Sequence, residues 1–167
     1  LPAWFAVSVM AHEVTASRIF AESTPAQRER FMPGLLSGEK IAGTATSEPG
    51  AGSDPRGLTT RMEIDGDTAI VNGRKLWISN GSVADILAVT CIDGVDAKGR
   101  NTLKRIIIEP DQSNFEIREI ETVGLQQGHL SEAVFEDCRV PVENILSSGG
   151  DAARMLTVTW HGNRPLV

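Results

Sequence analysis

The sequence predicts an α+β fold, an antiparallel β-barrel or sandwich between helical flanks, and three observations carry that prediction. Residues 4–20 place Trp4, Val7, Met10, Val14 and Ile19 at mostly three- and four-residue spacing, the period of an amphipathic helix. From Leu58 the period changes to two, in a series of short segments with no helical pattern between them. Asp65-Gly66, Asn72-Gly73, Asn80-Gly81, Lys98-Gly99 and Gly124 separate those segments, and these are residues that tight turns select. The expected division is a helical lead-in over 1–40, a β-domain over 41–146 and the start of a second helical region over 147–167.

The first helix has neither an N-terminal cap nor an initiator Met, so the chain is expected to begin inside an element, as a trimmed fragment or cleaved product would. His12-Glu13 lacks a second His four positions on, so the metalloprotease motif fails and His12 reads as a surface residue. Thr24 with Pro25 and Gln27 forms a capping box with proline in the first turn, and the helix it opens is expected to end near Pro33-Gly34. Ser37-Gly38 breaks the chain before Ile41 opens the first strand. The expected later strands read TTRMEID, TAIVNG, RKLWIS, ILAVTCI, KRIIIEP, FEIREIE and SEAVFED. Asn72-Gly73 is a two-residue hairpin signal. After Leu146, SSGGDAAR reads as a linker in which Asp151 caps a helix beginning AARMLTVTW.

Composition limits the function. Sixteen Lys and Arg against 22 Asp and Glu give a net charge of −6, and the basic residues form no run longer than a pair. Nucleic acid is therefore disfavoured, because phosphate binding needs clustered cations. No apolar run approaches the roughly 20 residues of a spanning helix, so no membrane partner is expected and the compartment predicted is the cytoplasm. Cys91 and Cys138 carry no C-x-x-C spacing and no nearby His. Both read as free thiols without a metal, Cys91 in a strand and Cys138 in a loop.

Residues 43–54, GTATSEPGAGSD, are the stretch most suited to holding a ligand. They read as a surface loop, too rich in small, hydroxyl and glycine residues for a helix or a core. Gly50 and Gly52 around Ala51 permit positive φ and close approach of backbone to a ligand. Amides turned outward there, with the Ser53 hydroxyl, would make an anion-binding concavity. The upstream half, 44–47, reads as a strand end whose hydroxyls and amides could face the polar edge of a heterocycle. The plainer reading is a turn cornered at Pro49-Gly50 with Asp54 as a cap.

TSEPGAGSD resembles the signature T-E-P-x-A-G-S-D of the acyl-CoA dehydrogenase flavoprotein family, with Ser47 where threonine is usual. LWISNG, residues 76–81, resembles the family's K-x-W-I-T-N-G and follows at the family's distance. EAVFEDCRVPVENIL resembles the strand that closes the family's middle domain, and TPAQRERFMPGLLSGEK resembles the approach to the first motif. The resemblance covers nearly the whole chain and is strongest from Thr24 to Leu146. It implies that 1–40 end an N-terminal helical domain, that 41–146 form the β-barrel middle domain, and that 147–167 start a C-terminal helical domain otherwise missing.

By the same resemblance the cofactor is FAD, held through Thr44, Thr46, Ser47, Gly52, Ser53, Trp77, Ile78 and Ser79, with Ser53 also beside the substrate's pantetheine arm. Trp77 alone would read as a core tryptophan; in this context it packs near the isoalloxazine, and Ser79 keeps a hydroxyl where the family has threonine. The implied reaction is flavin-dependent α,β-dehydrogenation of an acyl thioester, on coenzyme A or a carrier protein, as in fatty acid metabolism. The α-proton base is usually a glutamate of the C-terminal bundle, so the catalytic residue is expected outside this chain. Glu48, beside Pro49, reads as tying down the loop. Residues 123–132, VGLQQGHLSE, depart from the common G-L-R-G-S and lose its arginine, and His129 reads as an exposed loop histidine. Expected partners are a complementary helical chain or further copies of this one, and an electron-acceptor flavoprotein. The alternatives are an acyl-CoA oxidase-like flavoenzyme and a non-catalytic module binding FAD or a partner.

Overall fold

The computed structural model describes residues 2–125, 127–146 and 152. Two helices come first, α1 (Ala3–Glu22) and α2 (Pro25–Ser37), followed by strands β1 (Ala42–Ala45), β2 (Arg61–Asp65), β3 (Thr68–Ile78) and β4 (Ile86–Val95). Strands β5 (Asn101–Ile108), β6 (Glu116–Glu119), β7 (Ser131–Pro141) and β8 (Ile145–Leu146) complete one eight-stranded sheet. Its order is β6-β7-β3-β2-β4-β5-β8, with β1 beside β4. The expected helical start at Asp151 lies outside the described residues. Among the described residues no helix is long and apolar enough to cross a membrane.

The sheet is mixed where the sequence suggested antiparallel pairing throughout. β1 runs parallel to β4, from Ala42 opposite Ile86 to Ala45 opposite Val89, and β2 meets β4 in parallel at Arg61 opposite Ile92. Both strands therefore use the same edge of β4. The chain leaves that edge after Ala45 and rejoins it at Arg61, so residues 46–60 form an excursion anchored at two nearby points. β4 is buried from Ile86 to Ile92 without alternation, because it is covered on both faces. Leu87, Val89 and Cys91 face one apolar cluster with Val71, Ile78 and Phe135, while Ile86 and Ala88 face Ile19, Phe31 and Leu35 of the helices. Each fully buried Val, Leu, Ile or Phe among them contributes about 1.5 to 3 kcal/mol.

The capping box forms as expected. Gln27 donates its amide to Thr24 Oγ1 and accepts the Thr24 amide on Oε1. The helix does not stop at Pro33-Gly34 but continues to Ser37, where Gly38 takes the left-handed conformation. Phe31, Met32 and Leu35 straddle the proline and are buried, which outweighs the one backbone bond that proline forfeits. In α1 the expected apolar stripe is only partly used, since Met10 is exposed and packing runs through Thr15, Ala16 and Ile19. His12 is not a free surface residue. Its Nδ1 accepts the Ala42 amide at 3.1 Å and its Nε2 donates to the Leu35 carbonyl at 3.1 Å, joining α1 to the end of α2 and the start of β1.

Asn72-Gly73 makes no hairpin. β3 is one continuous strand through it, and the turn lies earlier, at Gly66, between Asp65 and its partner Thr68. At Asn72 the pairing of β3 with β7 is bulged, and Asn72 exchanges hydrogen bonds with Asp137 across the irregularity. Gly73 is required for a second reason. A Cβ there would stand 2.6 Å from Thr60 Cα, where the excursion crosses β3. Cys138, expected in a loop, is a buried residue of β7, and burial pushes its thiol up to about 11. Cys91 is in a strand as expected, with its thiol pushed up to about 12 by burial first.

Candidate functional site

Residues 43–54 do not form a loop from their start. Thr44 and Ala45 belong to β1, and the surface segment begins only after the strand ends. A tight turn follows, in which Glu48 and Ala51 exchange both backbone hydrogen bonds, at 2.8 and 3.2 Å. Asp54 then accepts the Arg56 amide at 3.0 Å and caps a short 3-10 helix, so the plainer turn reading is realised within the same segment. Gly50 and Gly52 are not in the positive-φ region, so conformational strain is not their reason for being there. Open space is. A Cβ at either position meets nothing within 4 Å, and Gly52 and Ser53 are exposed.

Glu48 holds this segment to the sheet. Its Oε2 accepts the Thr59 amide and hydroxyl, each at 2.7 Å, and its Oε1 accepts the Thr60 amide at 2.9 Å and Lys75 Nζ at 2.8 Å. Lys75 also donates to the Thr46 carbonyl at 3.1 Å, and its side chain is 0 % exposed. Burial pushes the Glu48 carboxyl up, but the hydrogen bonds from Lys75, Thr60 and Thr59 outweigh it and hold the group at about 2. Burial lowers the Lys75 ammonium, opposed by Cys91 and by the hydrogen bond and charge of Glu48. Glu48 is thus ionised at neutral pH and ties down the segment, as the sequence suggested. Lys75 was legible only as a cation on the inward series Ala69, Val71, Gly73 of a strand, a position that demands a buried counter-charge.

This pair has a pH consequence. The folded value of Glu48 lies below its ordinary 4.5, so its contribution is complete above about 4.5 and is lost as pH falls toward 2. About 3 kcal/mol of stability should disappear across that window. Urea unfolding followed from pH 6 down to acid should show this loss in the wild type and a shallower slope in Glu48→Gln; equal slopes would contradict it.

The two stretches singled out in the sequence come together. The Leu76 amide donates to the Ser47 carbonyl at 2.8 Å, and a Cβ on Gly43 would touch the Ser79 carbonyl at 3.1 Å. The end of β3 therefore lies along β1 and the turn that follows it. There β3 bulges a second time, between Lys75 and Ile78, and Trp77 takes φ 62°. That conformation throws the indole outward, 54 % exposed, so it is not a core tryptophan. A large aromatic residue at positive φ is strained, and such strain gathers at functional sites. Ser79 stands half-buried beside it, followed by Asn80 in the left-handed region.

Thr44, Thr46 and Ile78 lie on the same two segments. The Ile78 side chain is wholly within the core, leaving its backbone as the only part that can face a ligand. The Thr44 and Thr46 hydroxyls are engaged internally, with Thr15 Oγ1 at 2.7 Å and Thr90 Oγ1 at 3.0 Å. Thr44, Thr46, Ser47 and Ser79 are half-buried, and Gly52, Ser53 and Trp77 are exposed. His129 is half-buried; its Nδ1 lies 2.7 Å from Glu119 Oε1, which also accepts the Ser82 hydroxyl.

Residues 43–138 match the family model described as acyl-CoA dehydrogenase, middle domain. Over 154 residues the chain is 34% identical to the mitochondrial isobutyryl-CoA dehydrogenase of Dictyostelium discoideum, covering 92% of this chain and 37% of that protein. Butyryl-CoA dehydrogenase from Megasphaera elsdenii shares 31% identity and a TM-score of 0.88, over 97% of this chain and 43% of that one. A glutaryl-CoA dehydrogenase from Mycobacterium smegmatis in complex with FADH2 shares 27% identity and a TM-score of 0.76, over 85% and 36%. The chain spans less than half the length of the curated relatives it matches.

Proposed function

The chain belongs to the acyl-CoA dehydrogenase family, and from that membership we propose that it supplies the FAD-binding middle domain of an enzyme that oxidises an acyl thioester between its α and β carbons. The observation that carries the reading is the joining of two sequence-distant segments through Leu76 and Ser47, which sets an outward-facing Trp77 beside an open, glycine-lined turn. A flat aromatic platform next to exposed small residues fits a flavin nucleotide, which has a ring to stack and phosphates to hold. In this proposal Trp77 supports the ring system, the Ser79 hydroxyl and the Ser47 backbone bond its polar edge, and Gly52 and Ser53 face the diphosphate. Ser53 is also the proposed contact for the thioester's pantetheine arm.

Bound FAD would supply the hydride acceptor for the β carbon. This chain's residues orient the ring and exclude water from one side of it; the α-proton must go elsewhere. Glu48 is enclosed by Lys75, Thr59 and Thr60, and Asp54 is spent on the Arg56 amide, so neither is placed as the base. We assign the base to another part of the enzyme, outside these residues, in a helical domain or a partner chain. Coenzyme A is the carrier that the relatives' names favour. The proposed boundaries are a helical region to residue 40, the FAD-binding domain over 41–146 and a further helical region from 147. The cytoplasm is part of this proposal, although the Dictyostelium relative is mitochondrial.

Titration with FAD tests the assignment. Trp77→Ala should weaken binding about tenfold, the equivalent of roughly 1.4 kcal/mol of lost stacking. Ser53→Leu should weaken it through the diphosphate. Affinity unchanged in both variants, with the fold intact, would remove this surface as the flavin site.

A further inference from the structure

Away from that site, where α1 meets the sheet, two arginines lie within electrostatic reach of one carboxylate. Arg105 on β5 is 0 % exposed, and its Nη1 donates to Glu22 Oε1. Its Nε and Nη2 are buried and have no partner. Arg18, one turn before Glu22 on α1, is 9 % exposed, and its Nε is likewise buried and unpartnered. Arg105 stands opposite Thr90 and Leu146 in the sheet, and Ala16, Ile19, Ile107 and Leu146 belong to the apolar cluster on this side. Two guanidinium groups against one carboxylate give the cluster an excess of one positive charge.

Such an arrangement is costly unless something negative completes it, because an unpaired buried cation and orphaned donors both forfeit hydration. Burial first, then repulsion from Arg105, pull the Arg18 guanidinium down to about 10, with Glu22 opposing both. Unsatisfied buried polar groups that recur in one place commonly mark a bound ion or water. Three N–H groups without acceptors, on two elements already enclosed by the protein, suit a compact anion better than a bulky one.

We infer that Arg18, Arg105 and Glu22 form a binding site for a small monovalent anion, with chloride as the probe. The anion takes the place of the missing second carboxylate and pins α1 to the sheet.

Thermal unfolding of the purified protein in sodium chloride, against sodium gluconate at equal ionic strength, tests the site. Raising chloride from about 1 to 100 mM should lift Tm by about 3 to 6 °C beyond the gluconate control. Arg18→Met leaves a one-to-one Arg105–Glu22 pair, so it should lose the chloride-specific rise while melting no lower than wild type in gluconate. Identical behaviour of wild type in the two salts would overturn the proposal, as would a chloride-specific rise that survives Arg18→Met. If that variant does not fold, anomalous diffraction from bromide-soaked wild-type crystals decides: a peak against Arg105 supports the site, and its absence refutes it.

Discussion

Replacing Glu48 by alanine should remove roughly 3 to 5 kcal/mol of stability, the usual result of stripping one partner from a buried ion pair. Lys75 would be left with no exposed surface and only the Thr46 carbonyl as partner. The Thr59 and Thr60 amides would lose the acceptor that fixes the return of the 46–60 excursion to β2. Small domains carry about 5 to 15 kcal/mol in total, so this one change consumes a large share. Urea unfolding gives the number. The double variant Glu48→Leu with Lys75→Met should recover much of the loss, since a well-packed apolar pair can replace a buried ionic one. A single variant within about 1 kcal/mol of wild type would show that the pair does not hold the excursion.

Gly73→Ala should be almost as damaging for a different reason. One methyl group would have to occupy space 2.4 to 2.7 Å from three atoms of Thr60, including its Cα, on a backbone at φ 147°. Neither strand can yield cheaply, because β3 is paired on both sides and Thr60 is tied to Glu48. Overpacking and backbone strain together put the cost at about 2 to 5 kcal/mol. Gly50→Ala provides the contrast: its Cβ meets nothing and its φ is ordinary, so its effect should stay within about 0.5 kcal/mol. Denaturant midpoints of the two variants separate them directly, and comparable losses in both would contradict this account of the crossing.

What could be read from the sequence was mostly local. The capping box at Thr24 and the turn chemistry at Gly66 and Gly99 depend on residues a few positions apart, and they form as expected. The motifs also singled out two segments, 43–54 and 76–81, which the fold brings side by side. Features that needed distant partners were not legible. Asn72-Gly73 has ideal hairpin composition, and only the crossing of Thr60 over Gly73 makes it a bulge within a strand. The parallel pairing of β1 with β4 joins residues more than 40 positions apart, which alternation cannot reveal. His12 looked like a surface residue because both of its bonds are to backbone groups in other elements. At the site, the Thr44 and Thr46 hydroxyls bond Thr15 and Thr90, partners distant in sequence, and the exposure of Trp77 follows from a bulge that no local pattern announced.

The visible absorption spectrum of the purified protein, recorded after incubation with FAD and removal of unbound cofactor, tests the central claim most directly. The account predicts the two-band spectrum of a protein-bound flavin, reduced in intensity for Trp77→Ala. A protein that is folded by circular dichroism and yet retains no flavin absorption would contradict the proposal that this domain holds the cofactor.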